Sequence, residues 1–173
     1  MATILLKNAD VLVTMDDARR EIAGGWLFAR DGVIEQIGQG ACSLAAETVI
    51  DAGGMIALPG LINTHHHLFQ TLTRAVPAAQ DAPLFGWLQT LYPIWSRIGP
   101  EHIHVSALTG MAEMMLSGCT TSSDHLYLFP NGARLDDEIA AAHEIGLRFT
   151  ATRGSMSIGK SNGGLPPDIL TER

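Results

Sequence analysis

Cysteine is nearly absent from this sequence: Cys42 and Cys119 are the only two, far apart and outside any CxxC pair. That argues against a disulfide framework and a thiolate zinc cluster, and it fits a reducing cytoplasm. An excess of positive charge is missing too. Eleven Lys and Arg stand against 18 Asp and Glu, a formal net charge of −7, which removes the general attraction to phosphate backbones on which nucleic-acid binding rests. Long apolar runs are also lacking, since Ile4-Leu5-Leu6 is cut at once by Lys7, Asn8 and Asp10. Neither a signal-peptide core nor a transmembrane span is legible there. The expectation is a soluble, cytoplasmic protein with no nucleic-acid and no membrane partner.

What is present points to a packed α/β protein. Of the 173 residues 46% are hydrophobic and 17% charged, with 18 glycines, a composition that excludes disorder for most of the chain. The length alone suggests one domain. The first fifty-odd residues read as strands over 3–15, 26–30, 33–37 and 48–51, with Asp31-Gly32 as a hairpin turn. Gly53-Gly54 breaks this pattern, and from Met55 single apolar strands alternate with helical stretches, as in parallel βαβ units. The expected parts are therefore 1–55 and 56–173.

In the second part the strands are expected over 56–64, 120–126 and 147–153. Between the first two lie a region around 84–95 and a helix over 100–117, with Pro at its start, Glu101 in its first turn and Gly118 past its end. Leu108, Met111 and Met115 recur on it at helical spacing, which reads as core packing. A further helix over 136–145 starts with acidic residues and ends at Gly146. Residues 154–173, from Gly154 to Arg173, are loop-like. Three parallel strands are fewer than a sheet buried on both faces needs, so the sequence reads as an incomplete fold.

The most informative stretch is Leu58-Pro59-Gly60-Leu61-Ile62-Asn63-Thr64-His65-His66-His67. Side chains alternate along a strand, so His65 and His67 share a face and His66 points away. Neutral imidazole suits zinc or iron, and the C-terminal end of a parallel strand is where such folds put their sites. A bare histidine run could equally be a solvated turn or a satisfied core cluster.

Context favours the ligand reading. The β-rich leader ending in DAGGMIALPGLINTHHH resembles the amidohydrolase superfamily, whose barrel opens with a PGxxxxHxH strand delivering two metal ligands; the match falls on Pro59, Gly60, His65 and His67. Further stretches, NTHHHLFQTLTRAVP, FGWLQTLYPIW, CTTSSDHLYLFP and TRGSMSIGKSNGGLPPD, resemble its aminohydrolases acting on purine or triazine rings. The resemblance implies the N-terminal part of a (β/α)8, TIM-like barrel, preceded by part of a small β-sandwich. It also implies one divalent metal ion, zinc or else iron, and a metal-activated water that displaces an exocyclic amine from a small heterocycle such as 8-oxoguanine or guanine, releasing ammonia. Triazine hydrolysis is the alternative within the family. The full-length enzyme would be a homo-oligomer. A third histidine, an HxxE glutamate and a late aspartate complete such sites, and none is assignable here. The resemblance puts these groups on barrel strands beyond Arg173. No general acid or base is therefore expected within this chain, and the chain alone is expected to be inactive.

Substrate-binding candidates are Gln70, Trp87, His125 and Arg153. Gln70 matches the position of a glutamine in guanine-deaminating relatives, and an amide suits a lactam edge, though it is equally an ordinary loop residue. His125, with Asp124 beside it, and Arg153 end the second and third strands, where barrel pockets are lined. Trp87 and Trp95 could stack on a flat ring or simply be core. His102, His104 and His143 fall in expected helices and read as surface or packing residues.

Two competing readings come from other classes. One is a non-catalytic assembly fragment. The other is a nucleotide-binding module, since residues 154–161, GSMSIGKS, satisfy GxxxxGK[ST] after a strand. The P-loop needs a helix beginning at its lysine to hold phosphate, and Asn162-Gly163-Gly164-Leu165-Pro166-Pro167 cannot propagate one. A metallo-β-lactamase pattern is disfavoured because its HxHxDH run needs an Asp where Phe69-Gln70 stand.

Overall fold

A computed structural model describes residues 1–172. Arg173, where the expected second part and its loop-like end both close, lies outside the described residues, as do the acid and base groups expected beyond it. The chain divides into two compact units, one spanning Met1–Pro59 and one beginning at Gly60.

The first unit is a five-stranded sheet. β1 (Thr3–Val13) pairs antiparallel with β2 (Glu21–Arg30), which pairs antiparallel with β3 (Val33–Gln39). On its other edge β1 takes β4 (Thr48–Asp51) and then β5 (Ile56–Ala57), both parallel. Asp31 and Gly32 turn the β2–β3 hairpin with φ of 47° and 82°, the paired positive values that a two-residue turn matched to strand twist requires. A small core of Ala9, Leu12 and Ala52 is buried against Leu6, Ile22 and Leu27.

The second unit is a three-stranded parallel sheet in the order β6 (Leu61–Asn63), β7 (Cys119–Leu126), β8 (Arg148–Arg153). α1 (Leu84–Trp95) and α2 (Pro100–Leu116) connect β6 to β7, and α3 (Leu135–Ile145) connects β7 to β8. Parallel strands require such crossovers. The expected helix starts and stops hold: Pro100 opens α2, Asp136, Asp137 and Glu138 occupy the first turn of α3, and Gly146 caps its end. The run over 56–64, expected as one strand, is two short strands in different sheets. Pro59 has no N–H to give a ladder and interrupts the pairing.

Burial alternates along β7 with the period of a strand. Ser122, Asp124 and Leu126 are buried, while Ser123, His125 and Tyr127 lie on the more open face. Leu68, Ala107, Met111, Ala141, Ala142 and Leu147 form the core shared by α2 and α3. α1 packs its Leu91, Tyr92 and Trp95 into a second cluster with Phe69, Leu126 and Leu128. Leu108 and Met111 belong to the first cluster, as the helical spacing implied, whereas Met115 is 41% exposed. No helix among the described residues is long and apolar enough to cross a membrane.

Candidate metal centre

The histidine run lies just beyond β6, between Asn63 and a 3-10 turn at Leu68–Thr73. It is not itself strand, and the three rings take different partners. The rings of His65 and His67 meet edge to face with centroids 5.3 Å apart. His66 turns towards β7, its Nδ1 3.8 Å from Asp124 Oδ1. Burial holds the His66 imidazole below its usual pKa despite that carboxylate. Burial therefore favours its neutral form.

His67 Nδ1 lies 2.8 Å from the carbonyl oxygen of His125. A carbonyl oxygen only accepts, so the proton of this ring sits on Nδ1 and the lone pair on Nε2. This is the arrangement by which metal-binding imidazoles are oriented, their second nitrogen tied to a carbonyl or carboxylate. The backbone beside it is also held, because His125 N–H donates to the His66 carbonyl at 3.1 Å. Asn63 Oδ1 accepts from His65 N–H at 3.2 Å, while its amide reaches Met114 Sδ. Residues 64–67, 123–125 and Thr152 line an open depression of about 440 Å³.

The donor set fits a divalent metal in part. Two imidazoles stand side by side, one with a fixed tautomer. Among the described residues no three His, Cys, Asp or Glu side chains converge on one point.

The other candidates are placed variously. Gln70 sits in the 3-10 turn, and its Nε2 donates to Tyr127 Oη at 3.2 Å. Tyr127 also lies edge-on to His67 and to Phe69, with centroids 5.3 and 5.2 Å away. Burial pushes its hydroxyl up to about 12, so it remains a neutral donor and acceptor. Sequence reasoning missed Tyr127, although it follows His125 by two residues, just past the end of β7. His125 borders the depression, its ring 5.5 Å from that of His67 and packed on Gly154.

Trp87 packs edge-to-face on buried Trp95 at 5.3 Å within the α1 cluster and does not line the depression. Trp95 donates from Nε1 to Thr73 Oγ1 and is core. Arg153 lies with its guanidinium 4.6 Å above the Phe129 ring and pairs with Glu172. Asp124 sits on the buried face of β7 and accepts from Leu68 N–H at 2.6 Å, rather than facing the open side like His125.

His104 joins two helices, with its ring nitrogens at the Asp137 carbonyl and Glu144. His102 Nδ1 accepts from Gly99 N–H at the start of α2, and His143 is exposed. The GxxxxGKS loop forms only a 3-10 turn at Lys160–Asn162. Asp168 Oδ1 accepts from both Ser161 N–H and Ser161 Oγ, placing a carboxylate where a phosphate-binding loop would receive its anion.

A sequence model of the amidohydrolase family matches residues 56–169. The chain is 46% identical to the 8-oxoguanine deaminase of Pseudomonas aeruginosa over 149 residues, which are 84% of this chain and 33% of that enzyme. It is 33% identical to the hydroxydechloroatrazine ethylaminohydrolase of Pseudomonas sp. strain ADP, across 99% of this chain and 39% of the relative. Among solved structures it is similar to the atrazine chlorohydrolase of Arthrobacter aurescens TC1 complexed with zinc. The TM-score is 0.87 at 33% identity, covering 98% of this chain and 40% of that one. The chain thus spans between a third and two fifths of the length of these relatives.

Proposed function

The chain belongs to the amidohydrolase family, and from that membership we propose that it carries two metal ligands, His65 and His67, of a hydrolase that deaminates an aromatic N-heterocycle. The observation that carries this reading is the His67 ring, tied through Nδ1 to the His125 carbonyl at 2.8 Å, with the His65 ring edge to face 5.3 Å away. Zinc is the metal in a solved relative, and imidazole ligands suit zinc or iron. His65 and His67 would hold a divalent metal there, which would lower the pKa of a bound water towards about 7 and so make a nucleophile available at neutral pH.

This chain's own residues orient and bind. His125 fixes the tautomer of His67. Tyr127 Oη accepts one N–H of Gln70, leaving the second amide N–H and the carbonyl for a ring bearing N–H beside C=O. Such an edge belongs to 8-oxoguanine and guanine, and a relative's name points to the former. Triazine turnover is the second reading, supported by the hydroxydechloroatrazine relative.

Catalytic zinc sites normally have three protein ligands and an open position. With two ligands among the described residues, the 173-residue chain by itself is expected to release no ammonia. The functional reading is tested in a chimera in which this chain replaces the corresponding third of the P. aeruginosa deaminase. The rest of that enzyme then supplies the acid and base groups that this reading puts beyond Arg173. Ammonia release from 8-oxoguanine or guanine, abolished by His67→Ala, is expected. A folded, zinc-loaded chimera that deaminates neither purine would contradict the reading, and turnover of hydroxydechloroatrazine instead would select the triazine alternative.

A further inference from the structure

Two carboxyl groups, Asp124 of β7 and Glu138 of α3, are buried, and the metal-ligand reading gives neither of them a part. Asp124 is 2% exposed and Glu138 is fully buried. Neither forms an ion pair with Lys or Arg among the described residues; the His66 ring lies with Nδ1 3.8 Å from Asp124 Oδ1, beyond hydrogen-bond distance. Buried carboxylates without partners are costly, and an apolar residue at either place would pack without that cost. Taken as two carboxylates, Asp124 Oδ2 and both Glu138 oxygens would have no hydrogen-bond partner. Their side chains nevertheless lie in hydrogen-bonding contact. One proton between them resolves the conflict: a protonated Glu138 donates to Asp124 Oδ2.

The other oxygen of Asp124 faces the histidine segment. Leu68 N–H is the first donor of the turn at Leu68–Thr73, and no side chain of His67 caps that turn. Asp124 Oδ1 accepts this N–H at 2.6 Å. The neighbouring residue on β7 holds the two preceding positions, since His125 N–H donates to the His66 carbonyl and the His125 carbonyl accepts from His67. On the far side, Ser106 Oγ of α2 donates to the Leu68 carbonyl at 2.6 Å. Three consecutive residues, 66 to 68, are thereby fixed by two consecutive residues of β7.

We propose that Asp124, backed by the Glu138 carboxyl, is a positioning residue that clamps Leu68 and so sets the direction in which His67 presents Nε2. The inference rests on the reading of His65 and His67 as metal ligands, but the clamp itself can be measured without metal. Burial pushes the Glu138 carboxyl well above the usual range, and the nearby Asp124 raises it further. Burial raises Asp124 as well, but Asp124 already accepts the Leu68 N–H at 2.6 Å whereas Glu138 accepts from no donor, so the proton belongs on Glu138 and Asp124 stays an acceptor.

The test uses the full 173-residue chain, uniformly labelled with nitrogen-15, as wild type and as Glu138→Gln and Glu138→Leu. Three quantities are read: amide exchange at Leu68, the ring-nitrogen shifts of His67 that report its tautomer, and zinc affinity by chelator competition. In the wild type, Leu68 is expected to be protected and His67 to carry its proton on Nδ1. Glu138→Gln can still donate an N–H to Asp124 and should keep all three within about threefold. Glu138→Leu should accelerate Leu68 exchange at least tenfold, mix the His67 tautomers and weaken zinc binding about 10- to 100-fold, the usual cost of losing an outer-shell partner.

The proposal is overturned if a folded Glu138→Leu protein keeps the wild-type exchange and tautomer, or if Glu138→Gln loses them. Should Glu138→Leu not fold, the wild type alone decides: free exchange of Leu68 in the native protein overturns the clamp, and protection with the Nδ1–H tautomer supports it. Wild type that binds no zinc refutes the metal-ligand reading, while the exchange and tautomer data still decide the clamp.

Discussion

An imidazole facing a carbonyl oxygen has only one tautomer open to it, and that constraint on His67 gives the histidine run its chemical meaning. The alternation expected for a strand put His66 apart from its neighbours; residues 65–67 lie outside a strand, and the His66 ring turns towards Asp124. The burial of Glu138 was not legible. An acidic residue in the first turn of a helix satisfies the dipole rule whether it faces water or a core, and nothing local distinguishes Glu138 from Asp136 and Asp137. Its burial has a consequence for stability against pH. Glu138 has its folded pKa raised above the usual 4.5, chiefly by burial, with Asp124 as its charged neighbour and His66 beyond that. The folded state then holds a proton that the unfolded chain releases above about 4.5, so this contribution is complete below that value and is lost as pH rises above it. The stability of wild type relative to Glu138→Gln should fall as pH rises from about 4.5 into the neutral range, at up to about 1.4 kcal/mol per pH unit. Urea unfolding at a series of pH values checks it, and a flat difference would mean that Glu138 is ionised in the fold.

At the level of elements, punctuation residues made the chain readable. Asp31-Gly32 marked the hairpin, Pro100 and Gly118 bracketed α2, and Gly146 closed α3. The apolar run over 56–64 was misread as one strand because continuous hydrophobicity does not show where hydrogen-bond partners change. The contact between α2 and the turn after the histidines depends on Gly110, where a Cβ would lie 2.8 Å from Leu68 Cδ2 and 2.9 Å from Thr71 Oγ1. Leu68 is fully buried and Thr71 nearly so, so neither has room to yield. Ala in place of Gly should gain about 1 kcal/mol of helix propensity, against an overpacking cost of about 1–3 kcal/mol. Gly110→Ala is thus expected to lower stability by about 1 kcal/mol in denaturant melts. A rise in stability would show that the turn has space to move. The loop over 154–161 matches a phosphate-binding pattern in letters, yet Asp168 fills it. Titration with ATP and magnesium should give no saturable binding, and saturable binding lost on Lys160→Ala would revive the nucleotide reading.

For the molecule as a whole, the family was legible because the PGxxxxHxH pattern ties a backbone break to a pair of imidazoles two residues apart. The partners of those imidazoles were not legible, since the His125 carbonyl and Tyr127 reach them only through the parallel pairing of β6, β7 and β8. On the function proposed above, His65 and His67 act together on a metal while His66, turned towards Asp124, takes no part. Zinc competition with a chromophoric chelator on wild type and on His65→Ala, His66→Ala and His67→Ala tests this most directly. The expected result is binding of one zinc by the wild type, affinity within about threefold for His66→Ala, and a loss of more than about 100-fold for each of the other two, beyond the usual effect of an outer-shell change. Equal affinities in all four proteins, or a loss confined to His66→Ala, would contradict it.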